Sequence, residues 1–402
     1  MTAKKTLEDV EVAGKTVLVR VDFNVPFRPG GAVISDDSRI RASLETIRYL
    51  IGRQCRVVLC SHLGRPQGRV VEELRIGPVA ARLSELLGIP VAVAPDCVGP
   101  EVAGMVSTLT AGEVLVLENL RFHPEEERND PEFAEALSFL GGRMADVFVN
   151  DAFGTAHRAH ASTAGVARFL PAVSGFLMAR ELEMLGRALD GAGRPFVAVL
   201  GGAKVPDKIV VLRQLMARVD RLIIGGGMVA AFLRARGMEV GESLLDNDDV
   251  PVAAELLSTA QSQDVEMLLP EDVVVADAFS ETARHRVADV EEIPPGWRIM
   301  DIGPRTATSY ETALADAGTV IWNGPMGVSE WPPFAEGTAR IARALARLND
   351  ATTVLGGGST AEAVGALGLT AQMTHVSTGG GASLEYLEGR TLPGVAALMD
   401  KK

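Results

Sequence analysis

The chain has 402 residues, more than one hydrophobic core usually supports, so two domains are expected. Its formal net charge of -13 argues against a general nucleic-acid binder or a membrane-surface protein, because both need an excess of Lys and Arg. The three cysteines form no CxxC pair or metal-ligand spacing and predict a reduced, cytoplasmic protein. The N-terminus lacks an apolar signal segment and no eighteen apolar residues run together, so neither secretion nor a membrane span is expected.

The first half of the chain alternates short apolar runs with helical patterns. The runs are rich in Val and Leu without polar alternation, which predicts strands covered on both faces, at residues 16–21, 56–60, 90–94, 114–117 and 147–150. Between them, apolar residues three or four apart predict helices at residues 38–53, 78–87, 100–109 and 131–141. This repeated βαβ pattern predicts a mainly parallel sheet with helices on both faces.

The second half repeats the pattern. Strands are predicted at residues 196–200, 221–225, 272–276, 299–302, 319–322 and 353–355, with helices between them. Residues 175–189 carry an apolar stripe at helical spacing. This segment is either a helix that connects two domains or an ordinary core helix. The chain is therefore predicted to be an α/β protein.

A loop near the middle of the chain, residues 200–208, has the composition of a phosphate-binding turn. It follows the predicted strand at 196–200 and precedes a helical pattern at 207–219. Its glycines allow the backbone to approach a ligand closely, and Lys204 and Lys208, four residues apart, can point at the same anion. The GxxxxGK[ST] spacing of the Walker loop is absent. Taken alone, the stretch could equally be a tight turn with two solvated lysines.

Polar and basic side chains follow the predicted strands of the first half. Since ligands bind beyond the carboxyl ends of parallel strands, chemistry is expected at these positions. They are occupied by Asp22, Asn24, His62, Arg65, Arg121, His157, Arg158 and His160, with Arg39 opening the first helix. Convergent guanidinium groups suit a small anion with carboxylate or phosphate oxygens. Each arginine alone could instead form a surface ion pair, and each histidine a structural hydrogen bond.

The second half has glycine triplets where the first half has arginines. They lie at residues 225–227, 356–358 and 379–381, each after an apolar stretch and before a predicted helix. Glycine-rich entries let phosphate oxygens reach the unpaired N–H groups of a helix N-terminus. Any one triplet would indicate only a tight turn. Together with residues 200–208 and 322–328, they predict a nucleotide site in which Glu330 accepts hydrogen bonds from ribose hydroxyls.

Several long motifs occur along the chain: RVDFNVP at 20–26, SHLGRP at 61–66, ENLRF at 118–122, NDAFGTAHR at 150–158, GGAKV at 201–205, WNGPMGV at 322–328 and STGGGAS at 377–383. In sequence and in order they resemble the phosphoglycerate kinase family over essentially the whole chain. The resemblance implies two Rossmann-like domains joined by a hinge helix. It also implies reversible, Mg²⁺-dependent phosphoryl transfer from 1,3-bisphosphoglycerate to ADP, directly and in line, after closure of the hinge.

The resemblance assigns roles position by position. The implied acid-binding residues are Asp22, Asn24, Arg39, His62, Arg65, Arg121 and Arg158. The implied nucleotide-binding residues are Gly202, Ala203, Lys208, Gly226, Gly227, Asn323, Pro325, Val328, Glu330, Gly357, Gly358, Ser359 and Thr360. The groups beside the transferred phosphoryl group are Arg39, Lys204 and the helix N-termini at Gly358 and Gly381.

The resemblance also implies how the chain is divided. Residues 1–174 form an acid-substrate domain, 175–190 the connecting helix, 191–389 a nucleotide-binding domain, and 390–402 return to the first domain. The expected partners are the small-molecule substrates and Mg²⁺, without nucleic acid or membrane. A monomer is expected.

Two positions depart from the family pattern. Similar kinases follow the second glycine triplet with an aspartate that holds the metal, whereas this chain has Ser359. A hydroxyl can bind Mg²⁺ but contributes no negative charge, so Mg²⁺ is expected to be held through Ser359, the nucleotide phosphates and water. Ser329 stands where the family commonly has an aromatic residue, which changes the packing expected beside the base.

Two other functions are compatible with parts of the pattern. A nicotinamide-dependent dehydrogenase would also use a doubly wound sheet, but it calls for GxGxxG after a strand with an acidic residue about twenty positions further on, and no convincing instance occurs. A non-catalytic nucleotide sensor or scaffold is the stronger rival, because Ser359 is the kind of change that accompanies lost activity. The retention of Lys204, Arg39 and the acid-site arginines argues against it.

Overall fold

The computed structural model describes residues 3–28, 33–202 and 208–401. The chain divides into two compact units: unit 1 is Met1–Glu183 with Thr391–Lys402, and unit 2 is Met184–Arg390. Each unit contains a six-stranded parallel sheet, which confirms the predicted α/β fold class. Within the described residues, no helix has the length and apolar character needed to cross a membrane.

Unit 1 is built on its sheet and the helices that connect the strands. Its strands are β1 (Thr16–Arg20), β2 (Arg56–Cys60), β3 (Val91–Val93), β4 (Val114–Val116), β5 (Phe139–Leu140), β6 (Arg143–Met144), β7 (Val147–Asn150) and β8 (Ala172–Ser174). Its helices are α1 (Ser38–Ala42), α2 (Leu44–Gly52), α3 (Gly77–Leu87), α4 (Pro100–Thr108), α5 (Pro124–Glu127) and α6 (Pro131–Ser138). The strand order in the sheet is β3-β4-β2-β1-β7-β8.

The central strands form because their Val, Leu and Phe side chains are buried on both faces. Every residue of β1, β4 and β7 is buried. In register, Arg20 at the end of β1 pairs with Cys60 of β2 and Asn150 of β7, so these three strands end at one level. Helices α4, α5 and α6 begin with proline, which has no N–H to leave unpaired in a first turn.

Unit 2 combines a parallel sheet with a smaller antiparallel one. Its strands are β9 (Phe196–Leu200), β10 (Arg221–Ile224), β11 (Glu266–Leu268), β12 (Asp272–Ala276), β13 (His285–Asp289), β14 (Arg298–Ile302), β15 (Thr319–Asn323), β16 (Thr352–Gly356) and β17 (His375–Val376). The parallel sheet has the order β11-β10-β9-β15-β16-β17, and the antiparallel one has the order β13-β12-β14. The division between the two units falls within α7 (Phe176–Asp190).

The remaining helices follow along the chain. They are α8 (Ile209–Met216), α9 (Val229–Ala235), α10 (Asp249–Ser262), α11 (Pro304–Leu314), α12 (Glu336–Leu345), α13 (Gly358–Ala366), α14 (Gly381–Leu387) and α15 (Pro393–Ala396). The last of these lies in the C-terminal segment of unit 1, where Leu392, Val395 and Leu398 are buried. The Met399 N–H donates to the Ala172 carbonyl of β8 at 2.9 Å. The C-terminal segment is thus part of the folded core of unit 1.

Three predictions for unit 1 are wrong in detail. The helix predicted at 38–53 is interrupted at Ser43, whose N–H bonds to Ile40 in a tighter i to i+3 turn. The helix predicted at 131–141 ends at Ser138, because Gly141 and Gly142 both have positive φ and form the tight turn of the β5–β6 hairpin. The strand predicted at 90–94 is not covered on both faces, because β3 is an edge strand with Ala92 and Val93 exposed.

In unit 2 the expectation of one repeated parallel pattern is also wrong in part. The strands predicted at 272–276 and 299–302 leave the parallel sheet and pair antiparallel with each other, and the strand at 272–276 also pairs antiparallel with β13. The polar and charged face of β13 gave no apolar run that would have predicted it. The short strands β8, β11 and β17 also went unpredicted, since each contains a polar residue and at most two apolar residues, too short an apolar run to indicate a strand.

Asp301 in β14 should make the stability of unit 2 depend on pH. Its buried side chain accepts the N–H groups of Ile302 at 2.8 Å and Gly337 at 2.7 Å, and burial raises the pKa of Asp301 from 3.8 to about 7. Between these values the folded protein holds a proton that the unfolded chain has released. The stabilisation that this bound proton gives the folded protein is therefore complete below about pH 4 and is lost as the pH rises through about 7.

We expect ionisation of Asp301 to lower the free energy of unfolding of unit 2 by about 2–3 kcal/mol between pH 5 and pH 8, at about 1.4 kcal/mol per pKa unit. Urea unfolding followed by tryptophan fluorescence measures it, because Trp297, Trp322 and Trp331 are the three tryptophans of the chain and all lie in unit 2. Asp301→Asn should remove this part of the pH dependence, and the exposed Asp350→Asn should not. An unchanged pH dependence in Asp301→Asn would contradict the prediction.

Candidate active site

The polar residues predicted in unit 1 lie at one edge of its sheet. Strands β4, β2, β1 and β7 are neighbours in that order, and parallel strands end at the same edge. The segments after these ends carry Asp22, Asn24, His62, Arg65, Arg121 and Arg158. Arg39 lies in the first turn of α1.

The loops after β1, β2 and β4 are tied together through Gly64. Its N–H donates to Asn24 Oδ1 at 2.9 Å, and its carbonyl accepts from Arg121 Nη1 at 2.8 Å. Gly64 has a φ of 62°, a backbone conformation that favours glycine. One glycine turn therefore fixes two of the predicted side chains relative to each other.

Arg39 forms an ion pair with Asp22. Its Nη1 lies 2.5 Å from Asp22 Oδ2, and the Asp22 side chain is buried while that of Arg39 is 36% exposed. A guanidinium group has five N–H donors, so this contact leaves others available toward solvent. Arg39 is thus oriented by the protein and still able to bind an anion.

His62 is a neutral hydrogen-bond donor at the same edge. Burial, together with the charges of Arg20, Arg121, Arg158 and Arg39, holds the pKa of His62 well below its usual range. Its Nδ1 lies 3.1 Å from Arg20 Nη2. Because a guanidinium can only donate, Nδ1 accepts, and the single ring proton is on Nε2.

The other arginines differ in how firmly they are held. Arg121 is buried with its Nε 3.0 Å from Glu127 Oε1, and burial lowers the pKa of Arg121. Arg158 is half-buried and its Nε donates to His157 Nε2 at 3.2 Å. Arg65 is exposed to solvent. The edge therefore combines fixed guanidinium groups with a solvent-facing one.

Arg20 is the residue of this edge that the sequence reasoning did not single out. It is fully buried, its Nε donates to Ser162 Oγ at 2.9 Å, and its Nη1 donates to the Val21 carbonyl. A signal was present, because a charged residue that ends an otherwise apolar buried strand must have partners. Those partners come from other parts of the chain, which the local pattern could not show.

In unit 2, a cleft of about 730 Å³ lies beside the ends of β9, β10 and β15. Of the predicted nucleotide-binding residues, its lining includes Gly202, Gly226, Gly227, Pro325, Val328, Glu330 and Ser359. The rest of the lining was not predicted and is largely apolar, including Leu244, Leu245, Phe279, Ile299 and Met300. Phe279 also packs on Trp331, with ring centroids 4.7 Å apart. The cleft thus has glycine turns and an apolar surface.

The glycine turns at this edge pack backbone against backbone. The Gly202 N–H donates to Pro325 O at 3.0 Å, and the Gly226 N–H donates to Met326 O at 2.9 Å. Gly226 has a φ of 65°, and a Cβ there would collide with the Gly202 backbone. Glycine at 226 is therefore required by the fold itself.

Lys208 joins two strand ends. It lies directly before α8, is buried, and its Nζ donates to the carbonyls of Gly201 and of Asn323, the latter at 2.9 Å. Ala203 and Lys204 lie outside the described residues. The prediction that Lys204 and Lys208 point at one anion therefore stays a prediction.

Asn323 and Thr360 are buried near the second glycine triplet. Thr360 Oγ1 accepts the Gly324 N–H at 2.8 Å. Asn323 Nδ2 is buried without a hydrogen-bond partner among the described residues, and it lies 3.4 Å from where a Cβ on Gly357 would be. Unpaired buried donors are rare in folded proteins, so the unpaired amide of Asn323 distinguishes this turn from an ordinary one.

Two helices begin at the predicted glycines. Gly358 is the first residue of α13 and Gly381 the first of α14, so each contributes to a helix N-terminus with unpaired N–H groups. Ser359, the second residue of α13, is half-buried and lines the cleft. Among the described residues, the one group of three side chains able to share a metal through His, Cys, Asp or Glu is Asp96, Cys97 and His123 of unit 1.

Comparison with known proteins identifies the relatives of this chain. The family model for phosphoglycerate kinase matches residues 7–390. The chain is 56% identical over 399 residues to a phosphoglycerate kinase of Moorella thermoacetica, covering 99% of this chain and all of that protein. It is 56% identical over 400 residues to the one of Roseiflexus sp., with the same coverage.

Solved structures agree with this match. The phosphoglycerate kinase from Coxiella burnetii aligns with a TM-score of 0.86 at 39% identity and 98% coverage of both chains. The one from Pyrococcus horikoshii aligns with a TM-score of 0.82 at 36% identity, covering 99% of this chain and 98% of that one. The chain therefore belongs to the phosphoglycerate kinase family.

Proposed function

We propose that the arginine-rich edge of unit 1 binds 3-phosphoglycerate or 1,3-bisphosphoglycerate, in the phosphoryl transfer to and from a carboxyl group that the family catalyses. The observation that carries the proposal is a neutral His62 surrounded by guanidinium groups, in a chain with a formal net charge of -13. Such a local excess of donors suits a ligand with phosphate and carboxylate groups. The binding residues are Asp22, Asn24, Arg39, His62, Arg65, Arg121 and Arg158.

The cleft of unit 2 is proposed to bind ADP or ATP. Its apolar surface around Phe279 and Met300 suits a nucleobase, and the exposed Glu330 carboxylate can accept hydrogen bonds from ribose hydroxyls. The phosphates are assigned to the glycine turns and helix N-termini. The binding residues are Gly202, Ala203, Lys208, Gly226, Gly227, Asn323, Pro325, Val328, Glu330, Gly357, Gly358, Ser359 and Thr360.

The chemical step requires positioning more than covalent catalysis. In the direction that forms ATP, a β-phosphate oxygen of ADP attacks the phosphorus of the acyl phosphate, and the carboxylate of 3-phosphoglycerate leaves in line. The charge in flight is spread over the equatorial oxygens. Arg39, Lys204 and the N–H groups at Gly358 and Gly381 are proposed to stabilise that charge and to hold the reacting atoms in line.

The residues at the start of α13 fit Mg²⁺. The Ser359 hydroxyl is a hard oxygen ligand that lines the cleft, and Mg²⁺ characteristically keeps several waters and binds through substrate phosphates. Ser359 and the nucleotide phosphates are therefore proposed to hold the ion. When bound, it neutralises phosphate charge that protein donors would otherwise have to meet alone.

Assigning the two substrates to different units requires a closed state in which they meet. Helix α7 contains the division between the units and is proposed as the hinge, with closure excluding water from the reaction. The protein is proposed to act as a monomer, which size-exclusion chromatography with light scattering tests. A cytoplasmic location is supported by three cysteines that are all free and buried.

A coupled assay with 3-phosphoglycerate and Mg-ATP tests the proposed function. The wild-type chain should turn over, and Lys204→Ala should lose about 10²–10³-fold in kcat, the loss typical of one preorganised donor. Undiminished turnover in Lys204→Ala would contradict the role proposed for this lysine.

Restoring the family aspartate at Ser359 tests how the metal is held. Ser359→Asp adds a negative charge beside the proposed Mg²⁺ position, so half-maximal activity should require about tenfold less free Mg²⁺. Activity as a function of free Mg²⁺ is measured in both proteins at saturating substrates. Superimposable Mg²⁺ curves would show that the side chain at 359 does not contact the ion.

A further inference from the structure

A chain of buried polar groups extends from the proposed acid site into the interior of unit 1. It runs from His62 to Arg20, then to Ser162 and Glu126. Arg20, Ser162 and Glu126 are all 0% exposed, so none of them can touch a substrate. This chain of buried groups therefore needs an explanation other than substrate binding.

Glu126 is the acidic residue at the far end of this chain of groups, and burial raises the pKa of its carboxyl group. It lies in the short helix α5, where its Oε1 accepts from Ser162 Oγ at 2.6 Å and its Oε2 accepts from the Ser162 N–H at 2.9 Å. Its Oε1 is also 3.7 Å from His160 Nδ1. A carboxylate taken fully out of water is costly unless its oxygens are occupied, and Ser162 occupies both.

Ser162 transmits this arrangement to Arg20. Its hydroxyl donates to Glu126 and therefore presents a lone pair to Arg20 Nε, which donates to it at 2.9 Å. With Nη1 bonded to the Val21 carbonyl, the plane of the guanidinium group is fixed at two edges. The third nitrogen, Nη2, then points at His62 Nδ1.

We propose that Glu126 is a positioning residue: through Ser162 it holds Arg20 so that His62 keeps its proton on Nε2 and donates it to an anion in the acid site. Without this arrangement, His62 can place its proton on either nitrogen or turn its ring, and the donor is no longer preorganised. The proposal rests on the assignment of the acid substrate to this edge of unit 1.

The serine provides the cleanest test, because it can be changed without removing a charge. Ser162→Ala removes the hydroxyl, and Ser162→Thr retains it. We expect Ser162→Ala to raise the KM for 3-phosphoglycerate about tenfold while changing the KM for ATP less than twofold, and Ser162→Thr to restore most of the loss. Ser138→Ala is the matched control, since Ser138 is equally buried in unit 1 and its hydroxyl donates to the carbonyl of Ala134 within its own helix.

A spectroscopic measurement checks the proton position independently of activity. In the full chain labelled with ¹⁵N-histidine, the His62 signal is assigned by its loss in His62→Gln, among the six histidines of the chain. The wild-type protein should show a protonated Nε2 and an unprotonated Nδ1 at pH 7. Ser162→Ala and Glu126→Gln should shift the ring toward a mixture of the two tautomers.

The outcomes separate this proposal from the proposed function. A proton on Nδ1 in the wild-type protein, or Ser162→Ala kinetics that match those of Ser138→Ala, would overturn the positioning role. Wild-type protein that has the expected His62 tautomer but shows no turnover would overturn the proposed function. The role of the buried groups in fixing the tautomer of His62 would then still hold.

Discussion

Replacing Arg39 with alanine is expected to lower kcat by about 10²–10³-fold, because one preorganised donor to the transferred phosphoryl group is lost. The structure supports a role beyond an ordinary surface ion pair. The Arg39 guanidinium is oriented by the buried Asp22 carboxylate at 2.5 Å, yet the side chain remains 36% exposed. The coupled assay measures the effect, and the KM for ATP should stay within about threefold because the proposed nucleotide cleft is in unit 2.

Arg41 is the matched control for Arg39. It lies in the same helix α1, but its Nε pairs with Asp37 at 2.8 Å and its side chain is more exposed than that of Arg39. Arg41→Ala should leave kcat within about twofold, as expected for a surface ion pair. Similar losses in the two variants would mean that α1 matters as a structural element and that Arg39 has no special chemical role.

A second control concerns Asp22, which loses its ion-pair partner in Arg39→Ala. Leaving a buried carboxylate without that partner costs stability, so a lower rate could reflect partial unfolding. Urea unfolding of the variant, followed by far-UV circular dichroism, separates the two. Arg39→Lys retains the charge but loses the planar fork, and it should recover stability more fully than kcat.

The sequence predicted the parallel strands of both units except β8, β11 and β17, because buried Val and Leu runs are a local signal. Once β1, β2, β4 and β7 are parallel neighbours, the convergence of Asp22, His62 and Arg121 follows from topology alone. The tight hairpin at Gly141 and Gly142 was missed although a Gly-Gly pair is a turn signal, because the apolar spacing of α6 was allowed to run through it.

The parts that could not be predicted depend on contacts distant in sequence. Arg20 reaches Ser162, 142 residues away, and no local pattern announces that pairing. The apolar surface of the unit 2 cleft is similar: Phe279 is 63% exposed and follows β12, where nothing in the spacing marks it as lining a cleft. Such residues are identified only when separate elements are brought together.

The second large effect is expected at two glycines that serve different purposes. A Cβ on Gly226 would collide with the Gly202 backbone and lie 2.9 Å from the Pro325 carbonyl, at a φ of 65°. Gly226→Ala should therefore destabilise unit 2 by about 3 kcal/mol or more, through backbone strain and displaced turns. Tryptophan fluorescence during urea unfolding reports this loss, because all three tryptophans are in unit 2.

Gly358→Ala should do the opposite, keeping the fold and losing function. Gly358 lacks a positive φ, and a Cβ there would meet no described atom within 4 Å, so the folded chain alone gives no reason for glycine at the start of α13. Alanine should even favour the helix by about 0.5–1 kcal/mol. The remaining reason is a ligand that approaches the helix N–H groups closely, which a methyl group would obstruct.

We therefore expect Gly358→Ala to unfold at the same or slightly higher urea concentration than the wild-type protein and to lose about 10²-fold in kcat/KM for ATP, the loss typical of a reacting group misplaced by about 1 Å. Gly226→Ala provides the comparison, because there lost activity should follow lost stability. Full activity in Gly358→Ala would contradict the proposal that a phosphate binds at the N-terminus of α13. It would also weaken the proposal that Ser359 binds Mg²⁺, because Ser359 is the next residue of that helix and the ion is proposed to be held jointly by Ser359 and the nucleotide phosphates.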